Sequence, residues 1–75
     1  MKVNLQDEFL AHLQKEKIQI TVFLISGYQI RGLVQGFDNY TVIVQSGDTQ
    51  QLIYKHAIST MVPALHVNLW EEEHV

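Results

Sequence analysis

The sequence predicts a mostly β domain in which one N-terminal helix precedes five short strands that curl into a small, strongly bent antiparallel barrel. Three observations lead to this fold class: a helical hydrophobic period near the N-terminus, a twofold period from residue 18 onward, and glycines inside the second strand. The 75 residues, 47% of them hydrophobic, are enough for one domain and leave no room for a second.

The predicted helix covers about residues 4–16. Its apolar side chains recur with a helical period and form one stripe: Leu5, Phe9, Leu10 and Leu13. Asn4 can cap the first turn, and Asp7, three positions later, completes a pattern that resembles a capping box. These local signals agree on a helix that buries one face.

The predicted strands cover about residues 18–25, 28–37, 41–45, 50–54 and 57–62. Gly32 and Gly36 interrupt the second strand, and a glycine inside a strand indicates a bulge or the close approach of another backbone. Pro63 ends the fifth strand because it has no N–H to donate to a ladder. We therefore expect a sheet that bends sharply along its second strand.

Assembly is the expected source of additional stability, because a core of this size rarely supplies more than about 3–5 kcal/mol. The chain has no Cys for disulfides, and its four His lack the spacing of metal ligands, so no cofactor is predicted. The fourth and fifth strands are apolar and carry few charges, and pairing between the edges of neighbouring subunits would satisfy both. Such head-to-tail pairing predicts a ring if the rotation closes.

The chain divides into a domain of residues 1–63 and a short acidic tail of residues 64–75, in which Glu71–Glu73 form a solvated run. The net charge of −3 disfavours nucleic acid at first, but without those three glutamates the acids and bases balance at five each. No apolar run approaches the roughly 18–20 residues that cross a bilayer, and no signal peptide is evident. The predicted location is therefore the cytoplasm, with no membrane partner.

Two polar turns beside aromatic side chains are candidate sites for single-stranded nucleic acid. Lys55 and His56 join the last two strands and offer a cation and a ring, although the pair is also typical of an ordinary polar turn. Phe37 and Tyr40 are either stacking faces or core side chains that close the barrel, and we expect one of the two rings to be structural. Asp38, if buried, should accept hydrogen bonds from nearby backbone N–H groups.

A third candidate surface lies across the first hairpin. Phe23, Tyr28 and Arg31 offer rings beside a guanidinium, which suits base stacking, but the same side chains can pack under the helix or a neighbouring subunit. The chain has no Cys nucleophile, no Gly-rich phosphate loop and no paired carboxylates outside the acidic tail. The sequence therefore predicts a binding protein and not an enzyme. The alternative of a small hydrolase would require turnover that depends on a single side chain, and we expect none.

Four segments together carry a family resemblance: Leu5–Leu10, Val22–Leu24 with Gly27 and Tyr28, Gly36–Val42, and Tyr54–Thr60. They resemble the Hfq family, the bacterial Sm-like RNA chaperones, over about residues 4–63. The string Tyr-Lys-His-Ala-Ile-Ser-Thr in the last segment is highly specific to that family. Gln29–Gly32 and the pair Asp38 and Asn39 resemble its Gram-positive branch.

The resemblance implies an Sm-like fold, a homohexameric ring formed by pairing of strands 4 and 5, and two RNA-binding faces. The helix-bearing, proximal face would bind uridine-rich RNA through Gln6, Asn39, Tyr40, Lys55 and His56. The distal face would bind adenine-rich RNA through Phe23, Leu24, Gly27, Tyr28, Ile30, Arg31, Gln51 and Thr60. The rim offers only Lys15 and Lys17, without Arg, so weak annealing of RNA pairs is expected.

The function that the resemblance implies is post-transcriptional regulation through small regulatory RNAs and mRNAs, as in the stress response, without covalent catalysis. Ser26 departs from the Asn that is frequent at its position, which leaves the base preference of the distal face open. The alternative is a ring-forming scaffold whose faces bind proteins, with RNA incidental. Because the rim lacks Arg, we expect RNA affinity to depend only weakly on salt.

Overall fold

The computed structural model describes residues 4–69 and contains one helix and five antiparallel strands, which confirms the predicted fold class. The elements are α1 Leu5–Glu16, β1 Ile20–Leu24, β2 Gln29–Phe37, β3 Thr41–Ser46, β4 Thr49–Tyr54 and β5 Ile58–Pro63, with a 3-10 turn Lys55–Ala57 between the last two strands. Within the described residues, no helix has the length and apolar character needed to span a membrane.

Both ends of α1 are closed by local hydrogen bonds. At the start, the Asn4 side-chain oxygen accepts from the Asp7 N–H at 3.2 Å, as a capping residue should. At the end, Lys17 adopts a left-handed conformation with φ of 54°, and the Ile18 N–H donates to the Leu13 carbonyl at 3.1 Å. Ile18 is buried, but this hydrogen bond ties it to the end of the helix. The strand β1 therefore begins at Ile20, two residues later than the sequence predicts.

The bend of the sheet lies within β2. Its first part pairs with β1 up to Gly32, and its second part pairs with β3 from Leu33 onward. A Cβ at Gly32 would collide with the backbone carbonyl of Gln45, so the predicted close approach of two backbones is confirmed at this glycine. The register shifts by one residue between Val34 and Gly36, which is the predicted bulge.

The helix fixes the bulge and closes one side of the core. The Gln14 side-chain amide donates to the carbonyl of Gln35, the extra residue of the bulge, at 2.9 Å. Leu10 and Leu13 of the helix are fully buried. The hydrophobic core consists of Leu10, Leu13, Ile18, Ile20, Val22, Ile30, Val34, Val42, Val44 and Ile53.

In the described part of the chain the sheet has two free edges, because its strand order is β4-β3-β2-β1-β5. Large apolar side chains are exposed on both edge strands: Leu52 and Tyr54 on β4, and Val62 on β5. These strands carry the surface that the sequence assigns to contacts between subunits.

The chain continues along the domain after β5. The Ala64 N–H donates to the Gln19 carbonyl at 2.8 Å, and Val67 packs against the core. The division between a domain and a tail at residue 63 stays a prediction, and Glu71–Glu73 lie outside the described residues.

Candidate nucleic-acid interface

Three separate elements meet at the helix-bearing end of the molecule: the first turn of α1, the turn between β2 and β3, and the 3-10 turn after β4. The Lys55 N–H donates to the Tyr40 carbonyl at 2.8 Å, which joins the two turns. The Lys55 Nζ lies 3.6 Å from the Asp7 Oδ1 and 5.8 Å from the centre of the Phe37 ring. The structure thus places this cation between a carboxylate and an aromatic face.

The turn that carries Tyr40 is organised by Asp38. One oxygen of that carboxylate, Oδ1, accepts from the Tyr40 N–H at 2.9 Å and from the N–H and hydroxyl of Thr41, both at 2.8 Å. These hydrogen bonds favour the charged form and lower the pKa of Asp38, and they form although the residue is exposed. Of the two rings that flank the turn, Phe37 packs against the core and Tyr40 is 75% exposed.

A cleft of about 180 Å³ lies between α1 and β5. Its lining combines two polar groups, Gln6 and Lys55, with an apolar floor and the polar start of β5; the remaining residues are Leu10, Val42, Ile58, Ser59, Thr60 and Met61. An amide offers both donors and an acceptor, and an ammonium offers three donors. This set can hydrogen-bond the edge of a planar heterocycle.

His56 lies at the same end of the molecule, next to Lys55, and its side chain is exposed. Its ring stacks on that of Tyr54 with 5.7 Å between the centroids and 22° between the planes. The stack favours one orientation of the imidazole, next to Lys55 in the chain. Asn39 is an exposed residue of the Asp38 turn. Of the five sequence-predicted residues of this face, Gln6 and Lys55 share the cleft, Tyr40 is bonded to the Lys55 N–H, and Asn39 and His56 are their chain neighbours.

A second surface lies on β1, β2 and β5, and its Thr60 also lines the cleft. Phe23 is the partner of Gln29 on β2 and of Thr60 on β5, and Arg31 is the partner of Thr21, so these side chains share one face of the sheet. At the adjoining turn, Gly27 has φ of 96°, and Tyr28 is 63% exposed. The half-buried Leu24 accepts at its carbonyl from the Gly27 N–H.

Two of the sequence-predicted residues do not join this second surface in the single chain. Ile30 is 8% exposed and belongs to the hydrophobic core, opposite Val22. Gln51 lies on β4 opposite Val44, at the other end of the sheet order from Thr60 on β5. Gln51 and Thr60 therefore lie on the two opposite edge strands of the sheet.

Comparisons with known proteins identify the family. The family model described as Hfq protein matches residues 5–68. The chain belongs to the Hfq family. A curated relative from Exiguobacterium sibiricum, named RNA-binding protein Hfq, is 61% identical over 93% of this chain and 84% of its own length. A relative of the same name from Shouchella clausii is 58% identical over 97% of this chain and 95% of its own.

Solved structures agree with the Hfq assignment and give the Sm-like fold. The crystal structure of the pleiotropic translational regulator Hfq superposes with a TM-score of 0.76 at 41% identity, covering 79% of this chain and 98% of the other. The Hfq protein from Anabaena superposes with a TM-score of 0.72 at 29% identity, covering 77% and 93%. The resemblance to Hfq that the sequence motifs carried is confirmed.

Sequence reasoning missed two features of this Hfq-family site. Asp7 was assigned to the helix cap, yet its carboxylate pairs with Lys55, and no local signal links two residues so far apart. Ser59 lines the cleft, and its place in the Tyr-Lys-His-Ala-Ile-Ser-Thr string was the one sequence signal for it.

The rim residues Lys15 and Lys17 are both exposed, and Lys17 borders a separate groove of about 290 Å³.

Proposed function

We propose that this Hfq-family chain is a cytoplasmic RNA-binding protein that assembles as a homohexameric ring. Uridine-rich RNA binds on the helix-bearing face, and adenine-rich RNA binds on the opposite face. The relatives named RNA-binding protein Hfq support the general activity. The observation that carries the uridine face is the exposed ring of Tyr40, whose backbone carbonyl accepts from the N–H of Lys55, a residue that lines a cleft with Gln6.

On the helix-bearing face, uracil stacks on Tyr40 while Lys55 and Gln6 hydrogen-bond its edge. His56 lies near the ribose and phosphate. Stacking of a base on an aromatic side chain contributes about 1–3 kcal/mol, and the ammonium supplies donors to the uracil carbonyl oxygens. The high exposure of Tyr40 supports this role, because the ring is open to a partner in the free chain.

On the opposite face, adenine stacks on Phe23 and Tyr28, with Arg31 beside them. In the proposed ring, β4 of one subunit pairs with β5 of the next, and this contact brings Gln51 to the neighbour's Thr60. The exposed apolar side chains on both edge strands support that contact.

Repetition around the ring makes weak pockets effective. Once one nucleotide binds, the next is held close to an identical pocket, so its effective concentration rises and a tract binds more tightly than a single base. Such a ring can hold a small regulatory RNA on one face and an mRNA on the other. Post-transcriptional regulation follows from that co-binding, with no covalent step.

Single substitutions should separate the two faces. We expect Tyr40→Ala or Lys55→Ala to weaken a uridine hexamer by about tenfold or more, because each removes a contact repeated in every subunit, and to leave an adenine 18-mer within about twofold. Tyr28→Ala should do the reverse. Fluorescence anisotropy with labelled oligomers measures both affinities.

Native mass spectrometry of each variant is the control, because a broken ring would weaken both ligands. Equal loss of both oligomers in an intact ring would contradict the assignment of two faces. If the intact wild-type ring bound neither oligomer above the level of non-specific polyanion binding, the scaffold hypothesis would replace this one.

A further inference from the structure

The ammonium of Lys55 is partly neutralised within its own chain. Its Nζ lies 3.6 Å from the carboxylate of Asp7, and the Lys55 side chain is only 13% exposed, against 41% for Asp7. The pKa of Asp38 is lowered mainly by hydrogen bonds from Tyr40 and Thr41, and the positive charge of Lys55 adds a smaller effect in the same direction. One close carboxylate, that of Asp7, therefore faces the cation of a residue that lines the cleft.

This charge arrangement treats two kinds of RNA group differently. A phosphate is attracted by Lys55 but repelled by Asp7, and the two effects largely cancel at similar distances. A neutral carbonyl oxygen on a base is not repelled, and the ammonium keeps donors free after it pairs with one carboxylate. A site built in this way favours the base edge over the phosphate.

We infer, on the basis of the proposed function, that Asp7 is a specificity-determining residue. Its carboxylate holds Lys55 for the neutral edge of a base and excludes from the cleft polyanions that carry no bases. The position of Asp7 suits this role because it lies in the first turn of α1, where the Asn4 cap fixes its backbone. Its carboxylate contacts Lys55, which lines the cleft together with Gln6.

The chain offers a matched control in Glu8. It occupies the same first turn and carries the same charge, but among residues 4–69 its carboxylate forms no ion pair. Replacement of either acid by its amide changes the net charge equally and removes the same favourable interaction with the helix dipole. Only Asp7→Asn releases Lys55.

The experiment uses the assembled protein with a labelled uridine hexamer and inorganic polyphosphate as a competitor without bases. In Asp7→Asn we expect polyphosphate to compete about fivefold better or more, because an unpaired Lys55 attracts phosphate, while the affinity for the uridine hexamer changes by less than about threefold. Glu8→Gln should change both constants by less than about twofold. The double variant Asp7→Asn with Lys55→Ala should lose the gain in competition, as a coupled pair requires.

Asp7→Ser is a second variant in case Asp7→Asn fails to assemble. An equal gain for Glu8→Gln and Asp7→Asn would overturn the inference, because net charge alone would then explain the effect. A gain that persists without Lys55 would also overturn it. Failure of the wild-type ring to bind the uridine hexamer would instead contradict the proposed function itself.

Discussion

Asp38 and Tyr40 form the smallest structural unit of the helix-bearing face. The exposed ring can stack only if its backbone is held, and the chain holds it from both sides: Asp38 accepts from the Tyr40 N–H, and the Lys55 N–H donates to the Tyr40 carbonyl. Asx-type turns of this kind satisfy backbone groups that no strand can reach. The sequence indicated the turn, and the structure adds the bond to Lys55.

Removal of the Asp38 carboxylate should loosen this turn. We expect Asp38→Ala to weaken the uridine hexamer by about three- to tenfold, because three hydrogen bonds to Oδ1 are lost, and to leave the adenine oligomer unchanged. Asp38→Asn keeps an acceptor oxygen and should lose less. Anisotropy titrations measure both, and an equal loss in the two variants would argue that the charge, not the turn, matters.

The same residue gives a pH dependence with a definite sign. The pKa of Asp38 is lowered from its ordinary 3.8, so the charged form favours the folded state above 3.8 and this stability is lost as the pH falls through the folded value. The difference in unfolding free energy between wild type and Asp38→Asn should be constant above 3.8 and shrink below it. Urea titrations at matched pH values measure the difference, which cancels the contributions of other groups.

At the scale of elements, β2 decides the shape of the domain. Gly32 lets the backbone of β3 approach where pairing changes from β1 to β3, and the bulge at Gln35 turns the second half of the strand. Gln14 from α1 satisfies the carbonyl of the bulge. The two glycines predicted the bend because glycine inside a strand indicates a bulge or a close backbone approach. Only the packing distinguishes them: Gly32 has no room for a Cβ, and Gly36 has open space.

Alanine at these two glycines should separate the effects. We expect Gly32→Ala to lower the free energy of unfolding by about 2 kcal/mol or more, because its Cβ would collide with the Gln45 carbonyl and come within 2.8 Å of Val44 Cγ1. Gly36→Ala is the control and should stay within about 1 kcal/mol of wild type. Chemical denaturation at a fixed subunit concentration measures both, and equal effects would contradict the close-approach argument.

At the scale of the whole molecule, the free edges of the sheet are the feature that favours assembly. Within residues 4–69, the outer edges of β4 and β5 are unpaired and lie at opposite ends of the sheet order, with Leu52, Tyr54 and Val62 exposed. A small domain with two apolar edges gains stability when a second copy covers them. The proposed ring uses both edges of every subunit and creates the composite site on the distal face.

A charge on an edge strand should disrupt the ring. We expect Val62→Lys to shift the native mass from the hexamer to smaller species, because a buried ammonium at the contact has no partner. Leu65→Lys is the control, since Leu65 is 65% exposed and lies beyond β5. A hexamer that survives Val62→Lys while Leu65→Lys breaks it would place the subunit contact elsewhere.

The sequence by itself determined the fold class, the helix, the five strands and the bend, because helix periods, strand alternation, caps and glycines act between near neighbours in the chain. It also determined the family, through motifs that lie in register. Only the tertiary structure decided that Asp7 pairs with Lys55, that Ile30 is core and that Gln14 holds the bulge. Those contacts join residues far apart in sequence, and their partners are set by how the helix packs across the bent sheet, which no local pattern encodes.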